Sequence, residues 1–313
     1  MKLKLFLLAA ALLTLPSLSA SAQDDRGRTK IDTTVRLDRG GTVDLSLISG
    51  KIRVTGWDRP EVKVLASIDA GTLQFDANSS RVTLTVDESD GSGGRRRHHN
   101  AGDARYDVSV PRGSRLILEA VSGDVTANGS QGEIEATSVS GDVDVADGVR
   151  QASVESVSGS VHAAQINGNL RAESVSGSVR VESVTGNVAA TSVSGSLRLV
   201  GIQSKDVKTE TVSGDIVYSG SIDAGGKYSF ESHSGTIRLN IPRGAGAQFS
   251  VETFSGDVST DFPVTVPPSP GRRREGRMDF TIGDGRARVT AQTFSGRIVI
   301  NNGSDSTIRR DDE

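Results

Sequence analysis

The feature that most constrains the fold is a short motif that recurs at a fixed interval. It consists of a small residue, valine, serine, glycine, a small polar residue and an apolar residue, and it occurs five times between residues 119 and 197. A fixed short period is typical of proteins that stack one structural unit along an axis. The interval therefore predicts an array of stacked units. The motif glycines lie 18 residues apart, at Gly123, Gly141, Gly159, Gly177 and Gly195.

Each unit reads as β-structure. Val175, Gly177, Val179 and Val181 share one parity, which is the period-2 pattern of a strand with one buried face. This pattern predicts that the three valines point inward. The next apolar residue, Val184, breaks the parity, so we expect the chain to turn just before it. An amphipathic helix is excluded because no spacing of three and four residues persists.

A weaker copy of the motif lies midway between the strong ones. Gly132, Gly168 and Gly186 each follow a strong glycine by nine residues. We therefore predict an all-β fold, a β-solenoid or parallel β-helix, in which each coil has two halves. Like residues of successive coils should stack about 4.8 Å apart, as neighbouring strands do.

The spacing loosens toward the C-terminus, which predicts coils of about 18 to 21 residues. Gly214, Gly235 and Gly256 follow at intervals of 19, 21 and 21 residues, and Gly296 comes 40 residues later. We predict that these four and the five earlier motif glycines are structural turn glycines. Each has either a positive φ or an inward position where neighbouring backbones leave no room for a side chain. The sequence does not separate these alternatives.

The chain divides into four predicted regions. Lys2, Lys4, an apolar stretch and the sequence Ala20-Ser21-Ala22 indicate an export signal, so the mature protein would be periplasmic or extracellular. Alternating strands before the repeats would cap the open end of the solenoid. The predicted regions are a signal peptide at 1–22, a β capping region at 23–112 with an Arg-rich loop at 87–103, the solenoid at 113–301 with an Arg/Pro-rich loop at 266–278, and a disordered tail at 302–313.

Composition narrows the classes of partner. The sequence has 313 residues, no Cys and a net charge of −3, which becomes −5 without Lys2 and Lys4. This charge does not suggest a general nucleic-acid binder. No segment after the export signal approaches the roughly 18 to 20 apolar residues that cross a bilayer, so we expect no membrane span. Aromatic residues make up 4% of the chain, a composition that favours tightly turned β-coils over a large globular core.

Several short motifs together resemble a known family. They are Gly56-Trp57-Asp58, Glu61-Val62-Lys63-Val64, a Val-Pro or Ile-Pro strand end, the Ser-Gly-Asp-Val turns, and the closing sequence from Thr293 to Ile298. With these motifs the chain resembles the bacterial "putative adhesin" family, a β-strand-repeat domain of unknown function, over about residues 31–301. The resemblance implies a β-helical protein of the cell envelope. It supplies no catalytic residues.

Repeated aspartates suggest two interpretations. Asp124, Asp142, Asp215 and Asp257 each follow a motif glycine. Stacked carboxylates could share Ca²⁺, which prefers several oxygen ligands. Serines interrupt the series, however, and we favour hydrogen bonds to the backbone of the aspartate's own turn. We therefore predict no metal and no other cofactor.

Glutamates also repeat, and they raise the possibility of an enzyme. A pair of carboxylates can cleave polysaccharides, but catalysis needs one distinctive pair, so a regularly repeated Glu favours a solvated outer face. The four histidines, His98, His99, His162 and His233, have no spacing that defines a metal site. We therefore predict no catalytic residues and no enzyme. The repeated glutamates are Glu119, Glu155, Glu173, Glu210, Glu231 and Glu252.

Two arginine runs are the candidate binding residues. They could form a cationic clamp for phosphate or carboxylate groups of surface polysaccharide. The alternative is unpaired charge on exposed loops. Few aromatic residues accompany the runs, so specific nucleic-acid binding has little support. The candidate residues are Arg95, Arg96 and Arg97 in one loop and Arg272, Arg273, Arg274 and Arg277 in the other.

These observations predict a non-enzymatic, secreted or periplasmic, adhesin-like protein that presents a rigid surface. Its partners would be anionic envelope polysaccharides or another envelope protein. Two alternatives stay open: a β-helical polysaccharide-active enzyme, and a periplasmic accessory or sensor protein for envelope stress.

Overall fold

In a computed structural model of the chain, the residues described are 22–23, 29–87, 102–148, 150–263 and 276–303. Across these ranges the regular structure consists of strands, without a helix. The strands stack through parallel pairs into one long array, which confirms the predicted all-β solenoid. Most of the predicted signal peptide, the runs Arg95–Arg97 and Arg272–Arg274, and the predicted tail beyond residue 303 lie outside the described residues.

Eight strands come before the regular coils. Two of them, β3 and β8, are long and pair in parallel along most of their length, from Thr42 opposite Arg115 to Thr55 opposite Asn128. Each therefore supplies one strand to both of the ladders that follow. The eight strands are β1 (Ala22–Gln23), β2 (Thr29–Arg36), β3 (Thr42–Trp57), β4 (Glu61–Ile68), β5 (Thr72–Ala77), β6 (Arg81–Asp87), β7 (Ala104–Pro111) and β8 (Arg115–Asn128).

The regular coils contain two strands each, which stack into two parallel ladders. From β9 to β20, odd-numbered strands form ladder 1 and even-numbered strands form ladder 2. Val125, Val143, Val161, Val179 and Leu197 stand in register in ladder 2, at the predicted 18-residue interval. The coil strands are β9 (Glu133–Ser138), β10 (Val143–Ala146), β11 (Gln151–Ser156), β12 (Val161–Ala164), β13 (Asn169–Ser174), β14 (Val179–Glu182), β15 (Val188–Ser192), β16 (Leu197–Ile202), β17 (Asp206–Ser213), β18 (Ile216–Gly220), β19 (Lys227–Ser234) and β20 (Ile237–Ile241).

The hydrophobic core lies between the two ladders and grows with coil length. In the 18-residue coils it is filled by small side chains such as Ala163, Ala172 and Ala190. In the longer coils Tyr218 and Phe230 occupy equivalent inward positions, with ring centroids 5.1 Å apart. A longer perimeter encloses a larger cross-section, so the looser glycine spacing accompanies aromatic packing. Burial raises the pKa of Tyr218, whose hydroxyl donates a hydrogen bond to the Ser221 carbonyl at 2.7 Å.

The last coil in the sequence is inserted between two earlier ones. Strand β24 lies between β19 and β21, and β25 lies between β20 and β22. Gly296 therefore stacks on Gly235, and Gly256 stacks beyond Gly296. Sequence order and spatial order differ at this end of the rod. The five strands are β21 (Ala247–Ser255), β22 (Val258–Thr260), β23 (Arg277–Ile282), β24 (Ala287–Ser295) and β25 (Ile298–Asn302).

Antiparallel strands lie at both ends of the array. At the N-terminal end β2 and β7 flank β4, and β5 pairs with β6. At the C-terminal end β23 pairs with β21. These antiparallel strands lie beyond the regular coils at each end.

Candidate functional site

The edge that joins ladder 1 to ladder 2 carries the repeat motif, and buried hydroxyl groups shape it. Ser156 donates a hydrogen bond to the carbonyl of Gly141 in the preceding coil at 2.9 Å. The same hydroxyl accepts the N–H of Gly159, also at 2.9 Å. Such a bond from a serine to the backbone three residues later stabilises a turn. Equivalent hydroxyls donate to carbonyls across neighbouring coils from Ser138, Ser174, Ser192, Thr211, Ser232, Thr253 and Thr293.

The motif glycines pack against one another along this edge. A Cβ on Gly159 would lie 2.1 Å from the Gly141 carbonyl oxygen. Close backbone approach therefore requires glycine there, and this is one of the two alternatives left open by the sequence. Gly235 and Gly256 combine the close approach with a positive φ, of 153° and 155°. Comparable contacts with the backbone of a neighbouring coil occur at Gly123, Gly141, Gly177, Gly195, Gly214 and Gly296.

The tight turn drives the motif valine outward. Ser174 and Val179 are both buried, so the alternation of inward and outward residues is interrupted between them. Val175 is 44% exposed, and the prediction that it points inward with Val179 and Val181 is wrong. Parity holds only within a continuous strand, and the turn at the motif ends one strand before the next begins.

The outward valines stack into what we call the edge row. Nine large apolar side chains are exposed among the described residues; eight belong to this row, and Leu65 is the ninth. At about 4.8 Å per coil, the row is about 38 Å long. In spatial order it consists of Val121, Val139, Val157, Val175, Val193, Val212, His233, Phe294 and Phe254.

Aromatic rings form the C-terminal end of the edge row. The rings of His233 and Phe294 are stacked with centroids 5.0 Å apart, and those of Phe294 and Phe254 are 4.8 Å apart. Phe254 is 78% exposed and Phe294 50%. Rings of this size normally contribute large buried areas to cores and interfaces, so their exposure marks a surface available for contact.

An open groove of about 610 Å³ follows this end of the row. Its apolar side comes from Val193, Val212 and the three rings. Its polar side includes Glu210, Glu231 and Glu252. A second groove of about 360 Å³ lies at the N-terminal end of the same row and includes Ile48 and Val121. Both grooves therefore belong to one surface.

The repeated glutamates lie beside the edge row and define a second row. Each is two residues before an edge-row residue and on the outer side of ladder 1. Arg171 pairs with Glu173 at 2.7 Å, and Lys208 pairs with Glu210. Glu231 instead accepts a hydrogen bond from the Ser229 hydroxyl at 3.0 Å. We call this set the acidic row: Glu119, Thr137, Glu155, Glu173, Thr191, Glu210, Glu231, Gln292 and Glu252.

The repeated aspartates bond between coils. Asp142 accepts a hydrogen bond from the Ser160 amide of the next coil at 2.7 Å, and Asp215 does the same for Thr236. The prediction had placed these bonds within the aspartate's own turn. Lys51 pairs with Asp124 at 3.1 Å. Within the described ranges, no group of three or more His, Asp or Glu residues has a metal-binding arrangement.

Of the seven candidate arginines, only Arg277 lies within the described residues. Arg95, Arg96, Arg97, Arg272, Arg273 and Arg274 lie outside them, as do His98 and His99. Arg277 is exposed on β23, and its guanidinium donates to Asp279 at 3.1 Å. That hydrogen bond raises the pKa of Arg277. The remaining histidine, His162, lies 3.2 Å from the Asp144 carboxylate on the outer side of ladder 2.

Sequence reasoning missed the edge row, although one signal was present. His233, Phe254 and Phe294 replace the motif valine in the later repeats. A position inside a core of constant cross-section does not accept valine, histidine and phenylalanine in turn, whereas a surface position does. Reading these substitutions as one aligned position would have placed it outside.

The fold and its edge define a class of protein: a β-solenoid with a continuous exposed apolar row and no helix in the described part that could cross a membrane. Residues 43–301 match the Toastrack family, DUF4097, and the chain belongs to that family. This agrees with the resemblance seen in the sequence. A search of curated proteins found no match.

Solved structures with a similar arrangement include two described as adhesion proteins. A "putative cell adhesion protein" from Clostridium sporogenes is 12% identical, covers 87% of this chain and 99% of its own, and has a TM-score of 0.25. A "putative adhesin" from Bacteroides fragilis is 13% identical, covers 87% and 96%, and has a TM-score of 0.33. A "putative lipid binding protein" from Parabacteroides distasonis is 9% identical, covers 88% and 95%, and has a TM-score of 0.29. Likeness this distant carries no information on function.

Proposed function

We propose that this protein is a non-enzymatic, adhesin-like binding protein of the cell envelope, and that the edge row is its contact surface. The observation that carries the proposal is the concentration of exposed apolar side chains in one straight row. Isolated exposed apolar residues are common, but a continuous set indicates an interaction site. The predicted signal peptide supports export to the periplasm or the cell exterior.

A binding role also suits the construction of the edge. Buried hydroxyls and close glycine contacts hold the turns, so the backbone that carries the outward side chains is ordered before a partner binds. A surface that is already ordered avoids part of the entropy cost of association. The carboxylates of the acidic row face outward in a regular series, which favours a solvated surface over a catalytic pair.

Retention on envelope fractions tests the proposal. The exported chain is incubated with washed envelopes, and bound protein is measured for the wild type, the double variant Phe254→Ser with Phe294→Ser, and the control Leu65→Ser. We expect the double variant to lose about tenfold in affinity, because two hot-spot rings contribute more than about 1.4 kcal/mol. Leu65→Ser should bind like the wild type. Equal retention of all three proteins would remove the edge row as the contact surface.

The arginine runs are a second proposed contact, toward anionic envelope polymers. Their role is tested in the same assay with Arg95–Arg97 and Arg272–Arg274 replaced by serine, over a salt series. Exposed charge contacts are screened over about 10 Å at 0.1 M salt. Binding that falls with salt in the wild type but not in the serine variant supports the clamp. Identical curves for the two proteins discard it.

A further inference from the structure

The acidic row and the edge row form a two-column surface in which the acidic row supplies the carboxylates. Arg171, Lys208 and Arg277 lie beside three of them, Glu173, Glu210 and Glu252. Of the nine acidic-row positions, six are Glu, two are Thr and one is Gln. The two columns run side by side because acidic-row and edge-row residues are two apart in every coil. A matching partner therefore presents apolar side chains in a row, with cationic side chains along one flank.

Charge argues against two simple occupants. A second copy of the chain would bring acidic residues next to the same apolar row, where Asp124, Asp142 and Asp215 lie on the other flank. Like charges brought together at an interface cost several kcal/mol. An anionic lipid surface meets the same repulsion. A basic partner gains attraction from the acidic row, whereas serines and Arg297 interrupt the aspartates of the other flank.

Spacing selects the conformation of that partner. Neighbouring edge-row residues are about 4.8 Å apart. One turn of an α-helix rises about 5.4 Å, so a helix laid along the row differs by about 0.6 Å per coil. Residues on one face of an extended strand repeat at about 6.8 Å, which differs by about 2 Å per coil. Five positions, from Val193 to Phe254, span about 19 Å and match roughly four helical turns.

We propose that the edge row and the acidic row bind a basic amphipathic α-helix, with its apolar stripe against the edge row and its Lys or Arg residues beside the Glu side chains. This inference rests on the proposed function of the edge row. The aromatic end gives the helix its anchoring contact, since exposed Phe254 and Phe294 offer the largest apolar area of the row. The groove beside Glu210, Glu231 and Glu252 receives the basic flank.

The test uses a labelled synthetic helix of leucine and lysine, about 14 residues long, with leucines spaced to form one stripe. Fluorescence anisotropy measures its affinity for the exported chain. We expect Phe254→Ser with Phe294→Ser to weaken binding about tenfold. Replacing Glu210, Glu231 and Glu252 by Gln should weaken it about fivefold at low salt and little at high salt. Leu65→Ser and the pair Glu133→Gln with Glu135→Gln are matched controls and should bind normally.

Two further peptides test whether binding needs the apolar stripe and the positive charge, and a lipid vesicle tests a membrane as the alternative partner. A peptide of the same composition with its leucines spread around the helix, and one with Glu in place of Lys, should each bind at least about tenfold more weakly. Equal binding of either peptide overturns the proposal. Tighter binding to phosphatidylglycerol vesicles than to the basic peptide also overturns it, in favour of a membrane. If the peptides fail but the Phe variants still lose envelope retention, the helix proposal falls and the proposed function stands. Thermal unfolding of each variant verifies its fold.

Discussion

At the scale of single residues, one buried serine hydroxyl makes two hydrogen bonds at each of four motif turns, those of Ser138, Ser156, Ser174 and Ser192. The buried serine joins two coils, because it donates to the preceding coil and accepts an amide of its own turn. An aliphatic side chain of similar size would fill the space but leave both backbone groups without this partner. Unsatisfied buried polar groups cost more than the net value of a formed hydrogen bond.

Ser156→Ala should lower the free energy of unfolding by about 1 to 3 kcal/mol, because two buried backbone groups lose their partner. Ser156→Thr is the control, since the chain itself places Thr211, Thr253 and Thr293 at equivalent positions. It keeps the hydroxyl and should recover most of the loss. Chemical denaturation midpoints measure both. A threonine variant as unstable as the alanine variant would show that packing, and not the hydroxyl, holds the turn.

The residue scale also explains why the valine of the motif was wrongly predicted to point inward. Val175 and Val179 have the same parity, and a parity argument cannot detect a turn between them. The turn is closed by a hydrogen bond from the Gly177 N–H to the Ser174 hydroxyl. Hydrophobic periodicity carries no information about such a bond. Hydrophobic periodicity therefore predicts the solenoid but not the exposed edge row.

At the scale of elements, the edge that returns from ladder 2 to ladder 1 has its own repeated conformation. Gly129, Asp147, Gln165, Ser183 and Gly201 occupy equivalent positions in successive coils, and all have positive φ between 55° and 73°. Only glycine adopts this region without steric cost. Three of the five coils therefore carry a side chain in a strained place.

Ser183→Gly should raise the free energy of unfolding by about 0.5 to 1 kcal/mol. The relief of left-handed strain, about 1 to 2 kcal/mol, exceeds the entropy that glycine adds to the unfolded chain. Ser178→Gly is the matched control, because Ser178 is also exposed but has no positive φ. It should lower stability by up to about 1 kcal/mol. Thermal and denaturant unfolding measure the sign of the change in unfolding free energy for both variants. A loss of stability in Ser183→Gly would contradict the strain argument.

The sequence predicts the elements well where the repeat is regular. The interval of the glycines gives the coil length, and Val184 marks the return turn that follows Glu182. The spatial order of the strands at the C-terminal end is not predicted by the sequence. Intervals of 21 and 40 residues are compatible with stacking in sequence order, and only the register of β24 with β19 reveals the insertion. Which strand pairs with which is a long-range choice that local periodicity does not encode.

At the scale of the whole molecule, stability should be local along the axis. Each coil of the array contacts the coil before it and the coil after it. In such an array the free energy is close to a sum of coil terms and nearest-neighbour terms. A defect in one coil should therefore weaken its neighbours more than distant coils.

Gly159→Ala tests this locality, because its Cβ would lie 2.1 Å from the Gly141 carbonyl oxygen. We expect destabilisation of about 1 to 3 kcal/mol, as for other overpacked sites. Hydrogen exchange measured by mass spectrometry should accelerate in β10, β12 and β14 and change little in β20 and β25. Gly113→Ala is the control, since its Cβ would meet no atom within 4 Å. Uniform acceleration along the chain would indicate one cooperative unit.

The constant stacking of the 18-residue coils has a consequence for how this protein can change over generations. A coil that is copied or lost in the gene leaves its former neighbours facing partners of nearly the same shape, since Gly141, Gly159 and Gly177 make equivalent contacts. Such an event alters the length of the rod while the aromatic end keeps its structure. Reach and recognition can thus evolve separately.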